Sequence, residues 1–253
     1  MARIYPLILC GLALALSGRV GAESDHETGA FLNESFQNLE EWEPLTFDSI
    51  PRRSTYTIEA HDDGDGAFLR MRSEDAGSGL LLSEPFDPRR YPVIEWRWRV
   101  DDGIDGADHS RKSGDDYPVR VYLFFEYDGT GLSFRDRMRY AVYRRLRGTY
   151  PPHSAITYVW ATSPVSKNSY TSPHADRVWM RVLRDADAPT GTWKTERVDV
   201  LEDYRRLFGE APPETPMRIA VMTDSDDTGQ STDAALDWII VRARNSAQED
   251  AGN

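Results

Sequence analysis

The loop from Thr223 to Gly229 has the residue types and spacing that best suit a metal ion. Asp224, Asp226 and Thr228 occupy alternate positions before a glycine. A tight turn can direct several such hard oxygen atoms inward, as Ca²⁺ requires. Asp233 follows as a late candidate ligand, although the bidentate glutamate of the helix-loop-helix calcium template is missing. The alternative is an ordinary acidic turn, in which Asp and Gly serve backbone geometry.

A second group of polar residues leads into a segment with a strongly apolar face. Its aspartates can accept hydrogen bonds from ligand hydroxyls, and its arginine can donate a fork of them. Two aromatic residues follow on the same face of the predicted strand. The alternative is an ion-pair network that fixes how this strand enters its sheet. The candidate ligand-binding residues are Lys112, Asp115, Asp116, Arg120, Tyr122 and Phe124.

Enzyme motifs are missing from the sequence. It contains no Gly-x-Ser-x-Gly elbow, no His-Glu-x-x-His helix and no Gly-Lys-Ser/Thr phosphate loop. Carboxylate pairs are abundant, but their abundance in an acidic chain weakens any one pair as evidence for acid–base catalysis. The sequence therefore assigns no catalytic residue. The alternative is a hydrolase or lyase with Asp115, Asp116 and Arg120 near its reaction centre.

The elements that must position these residues are mainly strands. Apolar and polar residues alternate with period two, most clearly from Ile94 to Val100 and from Val119 to Tyr127, which is the pattern of half-buried strands. Weaker strand patterns occur at Thr55–Ala60, Ala67–Arg72, Gly79–Ser83, Ile156–Thr162, Val178–Arg184, Trp193–Asp199, Met217–Thr223 and Leu236–Arg244. Many short strands between Gly, Pro and Asp turns predict an all-β fold, a jelly-roll-like antiparallel β-sandwich.

Two short peripheral helices are also predicted. The first, Leu201 to Phe208, has Asp199 as its N-cap and Gly209 as its C-terminal stop. The second, Ser133 to Arg147, carries six arginines. Such a helix could contact a protein partner in an envelope complex, and the alternative is that its arginines pair with surplus carboxylates of the same chain.

The first 22 residues predict a secretory signal. Arg3 precedes an apolar run from Ile4 to Leu16 and then small residues, so cleavage is expected after Ala22. The run is too short to span a bilayer, which takes about 20 residues. We therefore expect export to a bacterial periplasm and no integral membrane segment in the mature chain. The chain's one cysteine, Cys10, lies within the signal, so the mature chain would form no disulfide.

Net charge argues against two classes of partner. The chain has 30 Lys+Arg and 42 Asp+Glu, a net charge of −12; loss of the signal, which holds Arg3 and Arg19 and no acid, would make it −14. Such a surface repels phosphate, which argues against nucleic acid and anionic membranes. We expect a single β-sandwich domain over residues 30–245, followed by a disordered tail over residues 246–253.

Five segments, in order along the mature chain, resemble a family of exported bacterial proteins of unknown function: Trp96 to Val100, Lys112 to Tyr122, Tyr158 to Ala161, Asp203 to Gly209 and Met222 to Thr228. The resemblance implies one domain and export, and it supplies no catalytic residue. Asp227 stands where the family pattern has asparagine, which adds charge to the loop. The layout is also similar to jelly-roll carbohydrate-binding modules, whose last strand often carries an acid near a structural calcium.

These observations together predict a non-catalytic periplasmic binding or accessory protein that recognises a carbohydrate or another envelope polymer. The alternatives are a polysaccharide-acting hydrolase or lyase and a structural partner in an envelope complex. The sequence suggests one cofactor, a structural Ca²⁺.

Overall fold

The computed structural model describes residues 29–127 and 152–244, which form two packed β-sheets. The smaller sheet consists of β1 (Ala30–Glu34), β3 (Thr55–Ala60), β4 (Ala67–Glu74), β6 (Val93–Asp102), β11 (Lys194–Asp199) and β13 (Ser231–Arg242). Its spatial order is β11-β6-β13-β4-β3, and β1 pairs with β13. The long β13 lies at the centre, because it pairs with β6 on one side and with β4 and β1 on the other.

The larger sheet consists of β2 (Trp42–Leu45), β5 (Gly77–Leu82), β7 (Val119–Phe125), β8 (Ser154–Trp160), β9 (Ser169–Thr171), β10 (Val178–Arg184) and β12 (Met217–Asp224). Its order is β2-β5-β12-β7-β8-β10-β9. Neighbouring strands are antiparallel in both sheets, except that β10 runs parallel to β8. The chain passes repeatedly from one sheet to the other, and the predicted jelly-roll-like sandwich is confirmed.

Alternating side chains of the two sheets meet in the core. Trp96 and Trp98 on β6 are fully buried and pack edge to face, with ring centroids 5.3 Å apart. Trp98 also reaches Trp160 on β8 across the interface, at 5.9 Å. The other face of β6 carries Glu95, Arg97 and Arg99, so its alternation sorts apolar residues inward and charged residues outward.

The ten predicted strands are all present, with ends displaced by a few residues. Three short strands were missed: β1, β2 and β9. Pro44 lies within β2 and weakens its strand pattern in the sequence. The sheet tolerates this proline because β2 is an edge strand, where one ladder hydrogen bond can be lost.

A tight turn from His61 to Gly66 joins β3 to β4. The amide of His61 donates to the carbonyl of Gly66 at 3.2 Å. Gly64 and Gly66 have φ values of 77° and 85°, which glycine adopts without steric cost. This turn forms one wall of a groove described below.

The helix α1 (Val200–Phe208) closes one end of the sandwich. Asp199 caps it, since its carboxylate accepts hydrogen bonds from the amides of Leu201 and Glu202, both at 3.1 Å. Gly209 ends it in the left-handed conformation, with φ 69°. The first predicted helix is thus confirmed. The predicted helix Ser133–Arg147, the signal and the tail after residue 245 lie outside the described residues. Within the described part of the chain, no helix is long and apolar enough to cross a membrane.

Candidate functional site

The two polar motifs that the sequence suggested as separate sites converge into one cluster. Arg120 on β7 lies opposite Met222 on β12, so its side chain reaches Asp224 at the end of β12. Arg120 Nε donates to Asp224 Oδ1 at 2.9 Å, and Nη2 donates to Asp224 Oδ2. Both side chains are buried, at 4% exposure each. This bidentate pair joins the sheet to the loop from Thr223 to Gly229.

Asp116 holds the same loop from the other side. Its carboxylate accepts hydrogen bonds from the backbone amides of Asp227, at 3.2 Å, and Thr228, at 2.7 Å. Asp224 Oδ1 in turn accepts the amide of Tyr117 at 3.0 Å. The segment around residues 115–117 and the loop after β12 are therefore locked together, although they are more than 100 positions apart in sequence.

Three carboxylates of the cluster can meet around one cation. Asp116, Asp224 and Asp226 each offer an oxygen, and these atoms lie within 4.8 Å of one another. Because Ca²⁺ binds oxygen at about 2.3–2.6 Å, two of its ligands can be at most about 5 Å apart, and the spacing fits. The oxygen-only donor set also suits Ca²⁺ or Mg²⁺ better than a thiolate- or imidazole-preferring metal.

The four residues predicted as metal ligands are placed differently from one another. Asp224 and Asp226 belong to the three-carboxylate group, whereas Asp116 takes the place expected for Asp233. Asp233 lies on β13 in the other sheet, where it pairs with Arg70 at 2.9 Å. Thr228 Oγ1 is buried and has no hydrogen-bond partner among the described residues. Asp116 could not be assigned as a ligand from the sequence, since its proximity depends on how β7 pairs with β12.

The cluster has a large surplus of negative charge. Burial, and then the neighbouring carboxylates of Asp116 and Asp227, raise the pKa of Asp226 from 3.8 to about 6. Burial also raises the pKa of Asp115 and that of Asp227. Arg120 is the nearby cation, with Nη1 3.8 Å from Asp115 Oδ2, and His174 Nε2 lies 3.6 Å from the same oxygen. A divalent cation or a proton would relieve this repulsion.

A glycine lets the neighbouring strand approach the cluster. A Cβ on Gly77, at the start of β5, would lie 2.6 Å from Asp226 Oδ1 and 3.3 Å from the Cβ of Asp224. No side chain fits at this position without displacing the carboxylate. The site therefore depends on residues from β5, β7 and β12 and on the loop that follows β12.

An aromatic stack lies behind Arg120. The Arg120 guanidinium is 4.5 Å from the ring centroid of Tyr117, and His109 stacks on the same ring at 4.4 Å. Burial, and then the charge of Arg120, lower the pKa of His109 from 6.5 to about 4, so the imidazole is neutral at pH 7. Its neutrality keeps a second positive charge away from Arg120.

The six predicted ligand-binding residues lie in three environments: a buried charged cluster, an exposed turn and the outer face of a sheet. Asp115, Asp116 and Arg120 are buried, at 3%, 1% and 4% exposure, and are engaged with the protein itself. Lys112 is exposed in a short 3₁₀ turn. Tyr122 and Phe124 are half-buried on the outer face of the larger sheet, with their rings parallel and 5.4 Å apart. The structure thus brings Asp115, Asp116 and Arg120 together but does not present them to solvent.

A groove on the opposite sheet was missed by the sequence analysis. It has a volume of about 450 Å³ and lies beside Trp193. Arg99 lies over the Trp193 ring at 4.6 Å, and Phe68 packs against its edge at 5.6 Å. The groove also contains His61, Glu59, Asp62, Asp63 and Arg70. The sequence predicted Trp193 as the first residue of a strand, whereas β11 begins at Lys194. The groove was missed because no local pattern in the sequence indicates that β3, β4 and β6 meet beside Trp193.

The family model described as "Protein of unknown function (DUF3047)" matches residues 40–240. The chain therefore belongs to this family, and the resemblance noted from its sequence is confirmed. No curated protein matches the chain in sequence.

Several solved structures are similar in fold at low sequence identity. They include tailspike protein 4 of Bacteriophage CBA120, enzymatically active domain (TM-score 0.38, 9% identity, 81% of this chain and 20% of that chain). They also include CtCBM11 (TM-score 0.39, 10% identity, 88% of this chain and 99% of that chain). A third is the CBM22-1-CBM22-2 tandem domain of Paenibacillus barcinonensis Xyn10C (TM-score 0.36, 14% identity, 88% of this chain and 52% of that chain). The chain thus spans one fifth of the first and about half of the third. Similarities at this level carry no information on function.

Proposed function

We propose that this member of the DUF3047 family is an exported, non-catalytic periplasmic binding protein that recognises a carbohydrate in the groove beside Trp193. The observation that carries the proposal is the combination, in one open groove of about 450 Å³, of an aromatic platform with guanidinium and carboxylate groups. Its volume is within the range of small-molecule sites, about 300–1,000 Å³.

The groove supplies each kind of contact that a sugar ring needs. The half-buried Trp193 offers apolar ring surface for stacking. Glu59 and Asp62 are acceptors for sugar hydroxyls. Arg99 pairs with Asp101 through Nε and Nη2, at 2.7 and 2.9 Å, and its remaining N–H groups are donors for a ligand. Arg97 holds this arrangement in place, since its guanidinium lies 5.3 Å from the Trp193 ring and donates to Asp237 at 2.8 Å. These partners restrict the side chains before a ligand arrives, which lowers the entropic cost of binding.

Burial of the charged cluster supports a binding role over a catalytic one. A hydrolase or lyase that used Asp115, Asp116 and Arg120 would have to bring these groups to a polymer. All three are at most 4% exposed, and Arg120 also donates to the carbonyl of Asp115 at 2.5 Å. Their contacts instead fix the path of the chain around β7 and β12.

We assign a structural Ca²⁺ to Asp116, Asp224 and Asp226 as part of the same proposal. The ion would neutralise carboxylates that already lie within 4.8 Å of one another. It would also tie the loop after β12 to the segment before β7. The expected consequence is a more stable sandwich when the ion is bound, by mass action.

The carbohydrate proposal is tested with a glycan array, followed by titration calorimetry of the best glycan against matched variants. Trp193→Ala is expected to weaken binding by about tenfold, the equivalent of about 1.4 kcal/mol of lost stacking. Phe124→Ala, which removes an aromatic ring of similar exposure on the opposite sheet, is the control and should bind normally. If Phe124→Ala abolishes binding while Trp193→Ala does not, the ligand lies on the other face. Equal binding by both variants and the wild type contradicts the proposal.

Export is tested separately by cell fractionation. The mature protein should be found in the periplasmic fraction with Glu23 at its N-terminus, and a chain that keeps its first 22 residues in the cytoplasm contradicts this part.

A further inference from the structure

We propose that an arginine-rich pocket beside α1 binds an oxyanion, so that the recognised carbohydrate is an acidic polysaccharide bearing carboxylate or sulfate groups. This inference depends on the carbohydrate-binding function proposed above and specifies its ligand class. The arginine pocket is defined by Arg181, Arg197, Arg205, Arg206 and Arg244 and has a volume of about 700 Å³.

The arginine pocket is positively charged on an acidic protein. Five guanidinium groups line it against three carboxylates, whereas the whole chain has a net charge of −12. A local surplus of this sign attracts an anion, and the low charge density of the guanidinium suits binding to carboxylate and sulfate oxygens. The rest of the surface would repel the same anion and so direct it to this place.

Two of the three carboxylates are firmly engaged within the protein, and the third, Glu202, is 71% exposed and lies 3.8 Å from Arg244. Asp203 is 5% exposed and accepts the hydroxyl of Tyr158 at 2.7 Å. It also pairs with Arg181 and Arg206. Asp199 caps α1 and accepts from Arg244 Nε at 2.6 Å. With Glu95, which pairs with Arg197 at 3.0 Å, four carboxylates face the five guanidinium groups, and a surplus of one positive charge remains.

Within the part of the chain that the structure describes, Arg205 is the arginine of this pocket that pairs with no carboxylate. It is exposed on α1, and it donates one long hydrogen bond of 3.4 Å to the carbonyl of Leu201. A guanidinium carries five N–H donors in a planar fork, so Arg205 retains donors for a ligand. Its neighbour Arg206 is also more than half exposed, at 58%. An oxyanion in the pocket would accept from the exposed side of this pair.

The pocket and the Trp193 groove lie along one strand. Val93 at the start of β6 lines the pocket, and Arg99, six positions further, lines the groove. At about 3.4 Å per residue these two points are about 20 Å apart. Between them, the outward face of β6 carries Arg97 and also Glu95, which pairs with Arg197 at 3.0 Å. This length fits a polymer that contacts both places, not a single sugar.

The experiment compares an oligogalacturonate with its methyl ester by calorimetry at low and at high salt; esterification removes the negative charges and adds one methyl group to each carboxyl. We expect the free acid to bind about tenfold more tightly than the ester at low salt, and this advantage to shrink at high salt. Arg205→Gln should weaken binding of the acid about threefold to tenfold and leave the ester unchanged. Arg89→Gln, which removes an exposed arginine elsewhere, is the matched control.

The outcomes separate this inference from the function on which it depends. If acid and ester bind equally, and Trp193→Ala weakens both, the oxyanion pocket is refuted and the carbohydrate function is retained. If neither oligomer binds but inorganic sulfate raises the melting temperature of the wild type and not of Arg205→Gln, the pocket is supported and carbohydrate binding is contradicted for this polymer. Absence of any response to sulfate and to both oligomers overturns the proposal.

Discussion

Replacing Arg120 with methionine gives the sharpest test of how the charged cluster is built. The substitution removes the partner of Asp224 while keeping a long apolar side chain, and it leaves the Asp224 carboxylate at 4% exposure without its guanidinium. Breaking a buried ion pair by removing one partner costs about 3–5 kcal/mol, because the remaining charge is left uncompensated in a poorly solvated place. That is a large part of the total stability of a typical protein, about 5–15 kcal/mol.

The assay is urea unfolding followed by tryptophan fluorescence, without added metal and at pH 7. With a denaturant slope of about 2–3 kcal/mol/M, the unfolding midpoint of Arg120→Met should fall by about 1–2 M. The double variant Arg120→Met/Asp224→Asn removes both charges and should be more stable than the single variant. Arg89→Met is the control, since Arg89 pairs with Asp87 at the surface, where both side chains are about half exposed.

Calcium adds a second readout to the same variants. Arg120 is the main protein cation among the clustered carboxylates, so its removal increases the negative charge around Asp224. Added Ca²⁺ should therefore stabilise Arg120→Met more than it stabilises the wild type. A loss of less than about 1 kcal/mol in Arg120→Met, or a double variant less stable than the single one, would refute the view that this pair is a buried and mutually compensating unit.

Three further outcomes follow from the cluster and its surroundings. Asp226→Asn should abolish the rise in melting temperature that Ca²⁺ produces in the wild type, as measured by thermal shift, whereas Asp187→Asn, the same change in an exposed loop, should leave it intact. Because the pKa of His109 is lowered to about 4, the native state binds this proton more weakly than the unfolded state, and stability is lost as the pH falls from about 6.5 to about 4. His109→Phe keeps the stack on Tyr117 and should remove up to about 3 kcal/mol of this loss, measured by urea unfolding at a series of pH values. An unchanged pH profile of stability contradicts the lowered pKa of His109. Gly77→Ala places a Cβ 2.6 Å from Asp226 Oδ1, so it should cost about 1–3 kcal/mol and weaken Ca²⁺ binding, and a calorimetric affinity equal to that of the wild type would argue against the site.

The strands were predictable because their signal is local. In β6, the alternation of Ile94, Trp96, Trp98 and Val100 with charged residues fixes which side chains face the core, whatever the strand pairs with. The helix α1 was predictable for a similar reason, since Asp199 and Gly209 act within one turn of its ends. The short strands β1, β2 and β9 lacked such a signal, because they are held mainly by their neighbours in the sheets.

The composition of the candidate site was predictable in part. The sequence indicated Asp224 and Asp226, and separately Asp115, Asp116 and Arg120, because carboxylates and an arginine in polar loops are recognisable by type. It gave no reason to join the two groups. It also favoured Asp233 as a ligand by counting along the loop, although β13 carries that residue to Arg70 and Arg72 in the other sheet.

Residue type and short-range periodicity were enough to predict the class of fold, the inward and outward faces of its main strands and the acidic character of its loops. Three contacts are visible only in the folded chain: Asp116 lies close to Asp226, Arg120 pairs with Asp224, and Trp193 packs against Arg99. Each of these contacts joins segments that strand pairing brings together from distant parts of the chain, and hydrogen-bonded register between distant strands leaves no trace in the local pattern of either one.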